Sequence, residues 1–247
     1  MKIKEIVSAL ERFAPLPLQD GFDNAGLQIG LTEAEATGAL LCLDVTEAVL
    51  DEAIALGHNL VISHHPLIFK GYKSITGKDY VERCILKAIK NDIVIYSAHT
   101  NLDNAYGGVN YKIAEKIGLK NLQVLEPKEN SLQDDLMQAG AGIVGELDEP
   151  ETELEFLKRI KKTFEVGCVR HNRLTGREIQ KVALCGGAGA FLLPQAIRAG
   201  ADVFITGEIK YHDYFGHEGD ILMVEIGHYE SEQYTKEIFY SIIRDLF

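Results

Sequence analysis

The chain has 247 residues, of which 46% are hydrophobic and 25% are charged, as in an ordinary globular protein. Its formal net charge of −12 argues against direct nucleic-acid binding, which depends on lysine and arginine meeting phosphates. No apolar run is as long as a membrane span, so we expect no membrane partner. The cysteines Cys42, Cys84, Cys168 and Cys185 form no Cys-x-x-Cys pair, which predicts reduced thiols in a cytoplasmic protein.

Apolar runs of strand length alternate with helical patterns along the chain. The N-terminal "MKIKEIVSALERF" predicts a folded amphipathic helix, because it lacks the uninterrupted apolar core of a signal peptide. The predicted strands are Ala39–Leu43, Asn59–Ser63, Ile93–Ser97, Lys181–Cys185, Asp202–Thr206 and Asp220–Glu225. The predicted helices include Thr46–Leu56, Asp79–Lys90, Phe191–Ala199 and a long C-terminal amphipathic helix, Glu230–Phe247.

This alternation predicts an α/β fold with two similar lobes and mostly parallel strand pairing. We place the first lobe at residues 1–125 and the second at residues 141–247, with the C-terminal helix a candidate to pack on the first lobe. The polar segment "EPKENSLQDD" (126–135) indicates a linker, which we place at residues 126–140. Two lobes would form a cleft near their strand ends, where α/β proteins usually bind ligands.

A weak internal repeat supports the two-lobe prediction. Each copy reads as a helix end, a glycine turn and an apolar strand closed by a hydroxyl residue. The matched stretches are "AIALGHNLVIS" (53–63) with "AIRAGADVFIT" (196–206), Leu41-Cys42 with Leu184-Cys185, and "HTNLD" (99–103) with "HYESE" (228–232). All βα units share some of these features, but the matching polar residues after the strands favour a duplication.

Three polar clusters stand at the carboxyl ends of predicted strands, where an active site is expected. Their members are His64 with His65, His99 with Asp103, and His228 with Glu232. Adjacent strand residues point to opposite faces, so both histidines of "SHHP" reach one site only beyond the strand end. Each cluster alone is better explained by capped or solvated side chains. Together they favour a mixed nitrogen and oxygen site for Zn, Fe, Mn, Co or Ni.

Two glycine-rich motifs leave two interpretations open. "CGGAGAF" (185–191) follows a strand and precedes a helix, so it either cradles a phosphate or makes a tight turn. "DNAGLQIG" (23–30) either brings Asn24 or Gln28 to a ligand or forms a turn.

A third segment, "TGEIKYHDYFG" (206–216), is also ambiguous. Glu208 occupies the repeat position of His65, and with His212 it either lines the cleft or caps a helix. We interpret Tyr211, Tyr214 and Phe215 as core residues rather than as rings that stack on a base.

Taken together, the motifs resemble those of the NIF-three-like family, also named GTP cyclohydrolase I type 2 homologues. The matching stretches are "DNAGLQIG" (23–30), "SHHPLIF" (63–69), "AHTNLD" (98–103), "CGGAGA" (185–190), "TGEIKYHD" (206–213) and "GHYESE" (227–232). The resemblance implies two divalent metal ions in the cleft between the lobes. It implies ring-shaped homohexamers as well. The inserted domain of many relatives has almost no room here, which puts in doubt any function that depends on it.

Carried over by motif, the resemblance implies a specific set of site residues. The implied metal ligands are His64, His65, Asp103, His228 and Glu232, with Glu232 as the bridge. His99 is implied to stand beside the metals as an acid/base or supporting residue.

The leading functional hypothesis is a dinuclear-metal-dependent hydrolase. Its substrate would be a nucleotide-like or phosphorylated small molecule, and one candidate reaction is opening of the GTP imidazole ring with release of formate. The alternative is a non-enzymatic metal-binding or regulatory interaction protein. A non-ligand His99 beside the metals favours catalysis, whereas a site saturated by protein ligands favours metal handling.

Overall fold

A computed structural model of the chain describes residues 1–128 and 139–246, which form two compact units. The first unit comprises Met1–Leu102 and the C-terminal segment that begins at Thr235, and the second comprises Asp103–Tyr234. No helix in these described ranges is both long and apolar enough to cross a bilayer. Of the predicted linker, residues 129–138 lie outside the described residues.

The secondary structure is mixed α/β, as the sequence predicts. The helices are α1 Ile3–Phe13, α2 Glu47–Leu56, α3 Tyr80–Lys90, α4 Thr100–Asn104, α5 Val109–Ile117, α6 Glu153–Thr163, α7 Leu193–Arg198, α8 His228–Glu232 and α9 Thr235–Ile243. The strands are β1 Gly26–Ile29, β2 Ala39–Cys42, β3 Leu60–Ser63, β4 Val94–Ser97, β5 Lys120–Pro127, β6 Gly140–Thr152, β7 Arg170–His171, β8 Glu178–Cys185, β9 Val203–Thr206 and β10 Leu222–Glu225.

The first unit is built on a four-stranded sheet in the order β1-β4-β3-β2. Strands β2, β3 and β4 are parallel, and β1 runs antiparallel to β4. Every residue of β3 and β4 is buried, which is why these strands read as continuous apolar runs rather than alternating ones. Helix α2 begins at the Thr46 cap and ends at Gly57, whose left-handed φ of 69° suits glycine.

One buried carboxylate belongs to the core of the first unit. Glu82 of α3 is fully buried, and its Oε2 accepts hydrogen bonds from the Thr76 backbone N–H (2.8 Å) and the Lys78 backbone N–H (3.1 Å). Although burial would raise the pKa of the Glu82 carboxyl, these hydrogen bonds outweigh it and lower the pKa to about 2. Glu82 therefore stays ionised and fastens the segment before α3.

The second unit contains a six-stranded sheet in the order β5-β6-β8-β9-β10-β7. Strands β8, β9 and β10 are parallel, whereas β5, β6 and β7 pair antiparallel with their neighbours. Phe204 and Met223 of the parallel strands are buried with Leu193 and Ala196 of α7. The predicted parallel strands are therefore present, and the antiparallel strands extend the sheet beyond the prediction.

The two parallel strand sets have the same internal register. In the first unit, Cys42 pairs with Ser63, which in turn pairs with Ser97. In the second unit, Cys185 pairs with Thr206, which in turn pairs with Glu225. A helix joins the first two strands of each set, α2 in one and α7 in the other. This common register supports the duplication that the sequence repeat indicates.

The C-terminal segment differs from its prediction. A single helix over Glu230–Phe247 is wrong, because α8 ends at Glu232 and α9 starts at Thr235. Helix α8 buries polar side chains in the second unit, whereas α9 buries Ile238 and Phe239 and packs on α1 and β2 in the first. The compact units also divide elsewhere than at residue 125, since α5 packs on β6 and β8 and β5 joins the second sheet.

Candidate functional site

The paired histidines lie where β3 has ended and the chain turns away from the sheet. The Ser63 hydroxyl donates to the His65 carbonyl (3.0 Å) and also lies 2.8 Å from the Ser97 hydroxyl on the neighbouring strand. The backbone N–H of His65 donates to the Leu43 carbonyl at 2.9 Å. These buried contacts fix the turn, so two consecutive side chains reach the same side.

The first unit brings three imidazoles together. His64, His65 and His99 each offer a ring nitrogen, and these nitrogens all lie within 4.8 Å of one another. The His64 ring centroid lies 4.9 Å from that of His65 and 5.2 Å from that of His99. Three convergent imidazoles are a ligand set suited to Zn, Cu, Fe or Ni.

Each imidazole of the "HH" pair is oriented through its Nδ1 atom. His64 Nδ1 lies 2.8 Å from the Ala98 carbonyl oxygen, and His65 Nδ1 lies 2.9 Å from Asp44 Oδ1. An oxygen acceptor at this position assigns the proton to Nδ1 and the lone pair to Nε2. This is the arrangement that orients metal-binding histidines in proteins.

His99 is held in the same way by Asp23. His99 Nδ1 lies 2.8 Å from Asp23 Oδ1, while the Thr100 hydroxyl and backbone N–H both donate to Asp23 Oδ2. Although burial would raise the pKa of the Asp23 carboxyl, hydrogen bonds from His99 and Thr100 lower it to about 2. Asp23 is therefore a carboxylate that orients the ring.

The second unit places His228 between two carboxylates. His228 Nδ1 lies 2.7 Å from Glu208 Oε1, and His228 Nε2 lies 3.1 Å from Glu232 Oε2. With the Nδ1 proton directed to Glu208, Nε2 and the Glu232 oxygen need a positive charge between them, either a proton or a metal ion. Two ligands that each lie about 2.0–2.2 Å from one ion can be 3.1 Å apart.

Asp103 adds a second carboxylate to this group. A carboxylate oxygen of Asp103 lies within 4.8 Å of one of Glu232, and Glu232 is 3% exposed. Two like charges this close and this poorly hydrated are costly unless a cation compensates them. Asp103, His228 and Glu232 therefore have the donor chemistry of a divalent metal site.

The "CGGAGAF" turn is held by side chains of the protein and does not resemble a phosphate cradle. The Gly186 N–H donates to Asn110 Oδ1 (2.9 Å), the Gly187 N–H to Ser231 Oγ (3.0 Å) and the Gly189 N–H to Thr206 Oγ1 (3.0 Å). Because side chains of the protein already take these three donors, the tight-turn interpretation is the better one.

Gly187 also gives Glu232 the space that it occupies. A Cβ at Gly187 would clash with Glu232 Oε1 and would stand 3.3 Å from His228 Nε2. The φ of Gly187 is +58°, a left-handed value that other residues rarely adopt. The glycine therefore permits the close approach of a turn to the candidate ligands.

A family model described as Duf34/NIF3 (NGG1p interacting factor 3) matches residues 1–247. The chain belongs to the DUF34/NIF3 family. A Clostridium perfringens protein named GTP cyclohydrolase 1 type 2 homolog is 38% identical over 235 residues, covering 94% of this chain and 87% of that protein. The predicted family resemblance is thus confirmed.

A longer relative and a solved structure are also similar to this chain over its whole length. A Staphylococcus aureus (strain MRSA252) protein, also named GTP cyclohydrolase 1 type 2 homolog, is 28% identical over 346 aligned positions, covering 100% of this chain and 94% of that protein. The alignment is longer than this 247-residue chain, as expected if the relative carries an additional segment. The crystal structure of Staphylococcus aureus hypothetical protein SA1388 has a TM-score of 0.89 at 30% identity, covering 100% and 93% of the two chains.

Within this DUF34/NIF3 chain, sequence reasoning missed the residues that orient the histidines. Asp44 is the second residue after β2, so the strand-end position that singled out the histidines would have found it. Asp23 opens "DNAGLQIG", a motif in which the amides of Asn24 and Gln28 were the predicted candidates for ligand contact. Glu208 contacts His228, so it lies beside a candidate ligand.

The interpretation of the aromatic residues after β9 needs correction. Tyr211 is 74% exposed and Phe215 is 54% exposed, so neither is a core residue. His212 lies among them, with its ring centroid 5.1 Å from that of Tyr211. Tyr214 alone packs against the core, and its hydroxyl donates to Glu225.

Proposed function

We propose that this protein is a dinuclear-metal-dependent hydrolase that acts on a nucleotide-like or phosphorylated small molecule. The ligands in this proposal are His64, His65, Asp103, His228 and Glu232. The observation that carries it is the orientation of every candidate imidazole by an oxygen acceptor at Nδ1. Surface histidines that merely cap strands have no need of such a uniform arrangement.

The donor atoms suit two divalent ions better than one. The first unit supplies imidazole nitrogens, and the second supplies carboxylates with one imidazole. Because a carboxylate has two oxygens, Glu232 can serve as a bridging ligand between two ions. The motif order of the family and the strand-end positions in both units support joining these sets in one centre.

The protein groups have separable roles in hydrolysis. Bound divalent ions would polarise the substrate and lower the pKa of water. His99 is the proposed proton-transfer residue, and Asp23 holds its ring in one orientation. The imidazole lies among the histidines that would hold metal, so it stands where a proton would be exchanged during hydrolysis.

Opening of the GTP imidazole ring is the specific candidate reaction. One water adds to the ring carbon and opens a carbon–nitrogen bond to leave a formamide, and a second water hydrolyses the formamide to formate and an amine. The support is the name of relatives such as the Clostridium perfringens protein, which is 38% identical to this chain.

A non-enzymatic role is the second candidate. The family description includes the words "NGG1p interacting factor 3", which describe an interaction rather than a reaction. The same oriented ligands would then store, sense or deliver a metal. Under this alternative, His99 would be a further ligand, which its nitrogen within 4.8 Å of those of His64 and His65 permits.

Metal analysis of freshly purified protein, followed by an activity screen over nucleotides, tests the proposal. Glu232→Gln should lower the metal content because it removes a negative bridging ligand. His99→Asn should keep two metal ions per chain and slow turnover by about 10²–10⁴-fold. Loss of metal in the His99 variant would instead make it a ligand, and full activity would exclude it as the proton-transfer residue.

Two further expectations stay with this proposal. We expect a homohexamer because of the family resemblance. We expect a cytoplasmic location because the four cysteines are all free thiols. Sedimentation analysis at several protein concentrations tests the assembly, and a stable monomer would exclude the hexamer. Fractionation of the source cells tests the location.

A further inference from the structure

Two phenylalanines of the first unit expose their rings beside the candidate metal ligands. Phe22 is 67% exposed and Phe69 is 45% exposed. Their ring centroids lie 6.3 Å apart with an interplanar angle of 52°, so the rings form an open angle rather than a closed stack. Exposed aromatic rings that adjoin one another indicate a binding surface more often than scattered single ones do.

This aromatic pair adjoins the imidazole group. The Phe69 ring centroid lies 6.3 Å from that of His99, at an edge-on angle of 79°. The His99 ring is in turn 5.2 Å from His64 and 5.4 Å from His65. A planar group resting on Phe69 would therefore lie next to the residues that the proposed function assigns to metal binding and proton transfer.

The backbone carbonyl and N–H of Ile68, the residue before Phe69, are both hydrogen-bonded to side-chain amides. Asn24 Nδ2 donates to the Ile68 carbonyl (2.6 Å), and the Ile68 N–H donates to Gln28 Oε1 (3.2 Å). Gln28 Nε2 donates back to the Asn24 carbonyl (2.6 Å). These amides fix the position of an exposed ring, although exposed loop residues usually need no such support.

One short segment therefore positions both the ring and the imidazole. Asp23 orients His99, and its neighbour Asn24 fixes the peptide before Phe69. The amides of "DNAGLQIG", whose role the metal site leaves unexplained, thus acquire one.

We propose that Phe22 and Phe69 form a platform for the planar heteroaromatic ring of the substrate, with Asn24 and Gln28 as positioning residues. This inference rests on the proposed function and specifies how its substrate is held. A ring is the fitting occupant because the surface consists of two aromatic side chains next to imidazoles. Base–aromatic stacking is favourable for every nucleobase, so the platform selects a ring and not a particular base.

The internal repeat places a similar feature in the second unit. In the repeat alignment, Phe69 corresponds to His212 and Tyr72 to Phe215. His212 and Phe215 belong to an exposed aromatic cluster with Tyr211, whose ring centroid lies 5.2 Å from that of Phe215. Exposed rings thus follow the central strand of the parallel set in both units, β3 in one and β9 in the other. This second cluster is the rival location that an experiment must separate.

The test compares ligands with and without a ring on metal-loaded protein. Titration calorimetry would measure binding of guanosine, adenosine and inorganic tripolyphosphate. Phe22→Leu and Phe69→Leu should each weaken nucleoside binding by about tenfold to a hundredfold and leave tripolyphosphate binding unchanged. Phe69→Tyr should bind nucleosides as the parent does, because it keeps an aromatic ring that Phe69→Leu removes. Tyr240→Leu, which removes a ring that is 59% exposed on α9, is the matched control and should change nothing.

Positioning by the amides has its own readout. Asn24→Ala should weaken nucleoside binding while the metal content and the tripolyphosphate affinity stay as in the parent protein. A variant that merely loosened the fold would lower all three together. Equal nucleoside affinity in the Asn24 variant and the parent would exclude the positioning role.

Three results would overturn the platform: nucleosides that fail to bind the parent protein, binding that survives both leucine variants, or binding lost in Tyr211→Leu instead. Failure of the proposed function appears differently. In that case the protein would hold no metal or hydrolyse no nucleotide, while the nucleoside affinities would still follow Phe22 and Phe69.

Discussion

Replacing Gly187 by alanine should disable the acidic ligand group without changing any ligand side chain. The added Cβ would clash with Glu232 Oε1, so that the carboxylate must move. Metal–ligand distances tolerate changes of only about 0.2 Å. Moving Glu232 should therefore weaken metal binding by about tenfold to a hundredfold or more, the range seen when the supports of metal ligands are removed.

Gly200→Ala is the matched control for this change. Gly200 also has a left-handed φ, +69°, but a Cβ there would meet nothing within 4 Å. Both substitutions should lower the free energy of unfolding of the metal-free protein by about 1–2 kcal/mol, the cost of a left-handed conformation for a residue with a Cβ. Only the Gly187 variant should also lose metal affinity.

Two measurements separate these effects. Urea unfolding in the presence of a chelator gives the shared backbone cost, and competition with a chromophoric chelator gives metal affinity. If the Gly187 variant binds metal as tightly as the Gly200 variant, then Glu232 is not a ligand held in place against this turn.

Two other substitutions test single contacts. Although burial would raise the pKa of the Glu82 carboxyl, hydrogen bonds lower it from 4.5 to about 2, so its ionised form stabilises the fold above pH 4.5. Urea unfolding should show that Glu82→Gln has a lower free energy of unfolding than the parent at neutral pH, and this difference should close as the pH falls from 4.5 towards 2. The exposed Glu52→Gln is the control and should show no difference. A difference that does not change with pH would refute this reasoning. Glu208→Gln keeps an oxygen acceptor for His228 Nδ1 but removes the negative charge of the carboxylate. In a chelator competition this variant should bind metal about tenfold to a hundredfold more weakly than the parent. An unchanged metal affinity would contradict the prediction.

The parallel strands of both units were predictable because they contain short apolar runs, and β3, β4, β9 and β10 are buried on both faces. Their boundaries agree with the prediction within a few residues. The antiparallel strands were missed for a physical reason. Strand β6, "GAGIVGELDEPET", contains glycines and several acidic residues, and its pairing with β8 shifts register between Glu146 and Glu151. Its strand character comes from the neighbours it pairs with, which local sequence does not reveal.

The candidate ligands were predictable for a similar reason, whereas their supports were not. A histidine at a strand end is visible in the sequence, because strand ends are where α/β sites form. The acceptor at Nδ1 comes from a distant part of the chain, as Asp23 does for His99 and Asp44 for His65. Only the fold shows which of many carboxylates faces which ring.

The duplicated strands preserve the location of the chemistry but not the residue that performs it. His65 and Glu208 occupy the same repeat position, the second residue after the central strand of each set. In the first unit this position supplies an imidazole, oriented by Asp44. In the second it supplies the carboxylate that orients His228. Each unit thus assembles the same imidazole–carboxylate pair from different positions. This is possible because neighbouring parallel strands deliver their loops to one edge, where either partner can come from either loop.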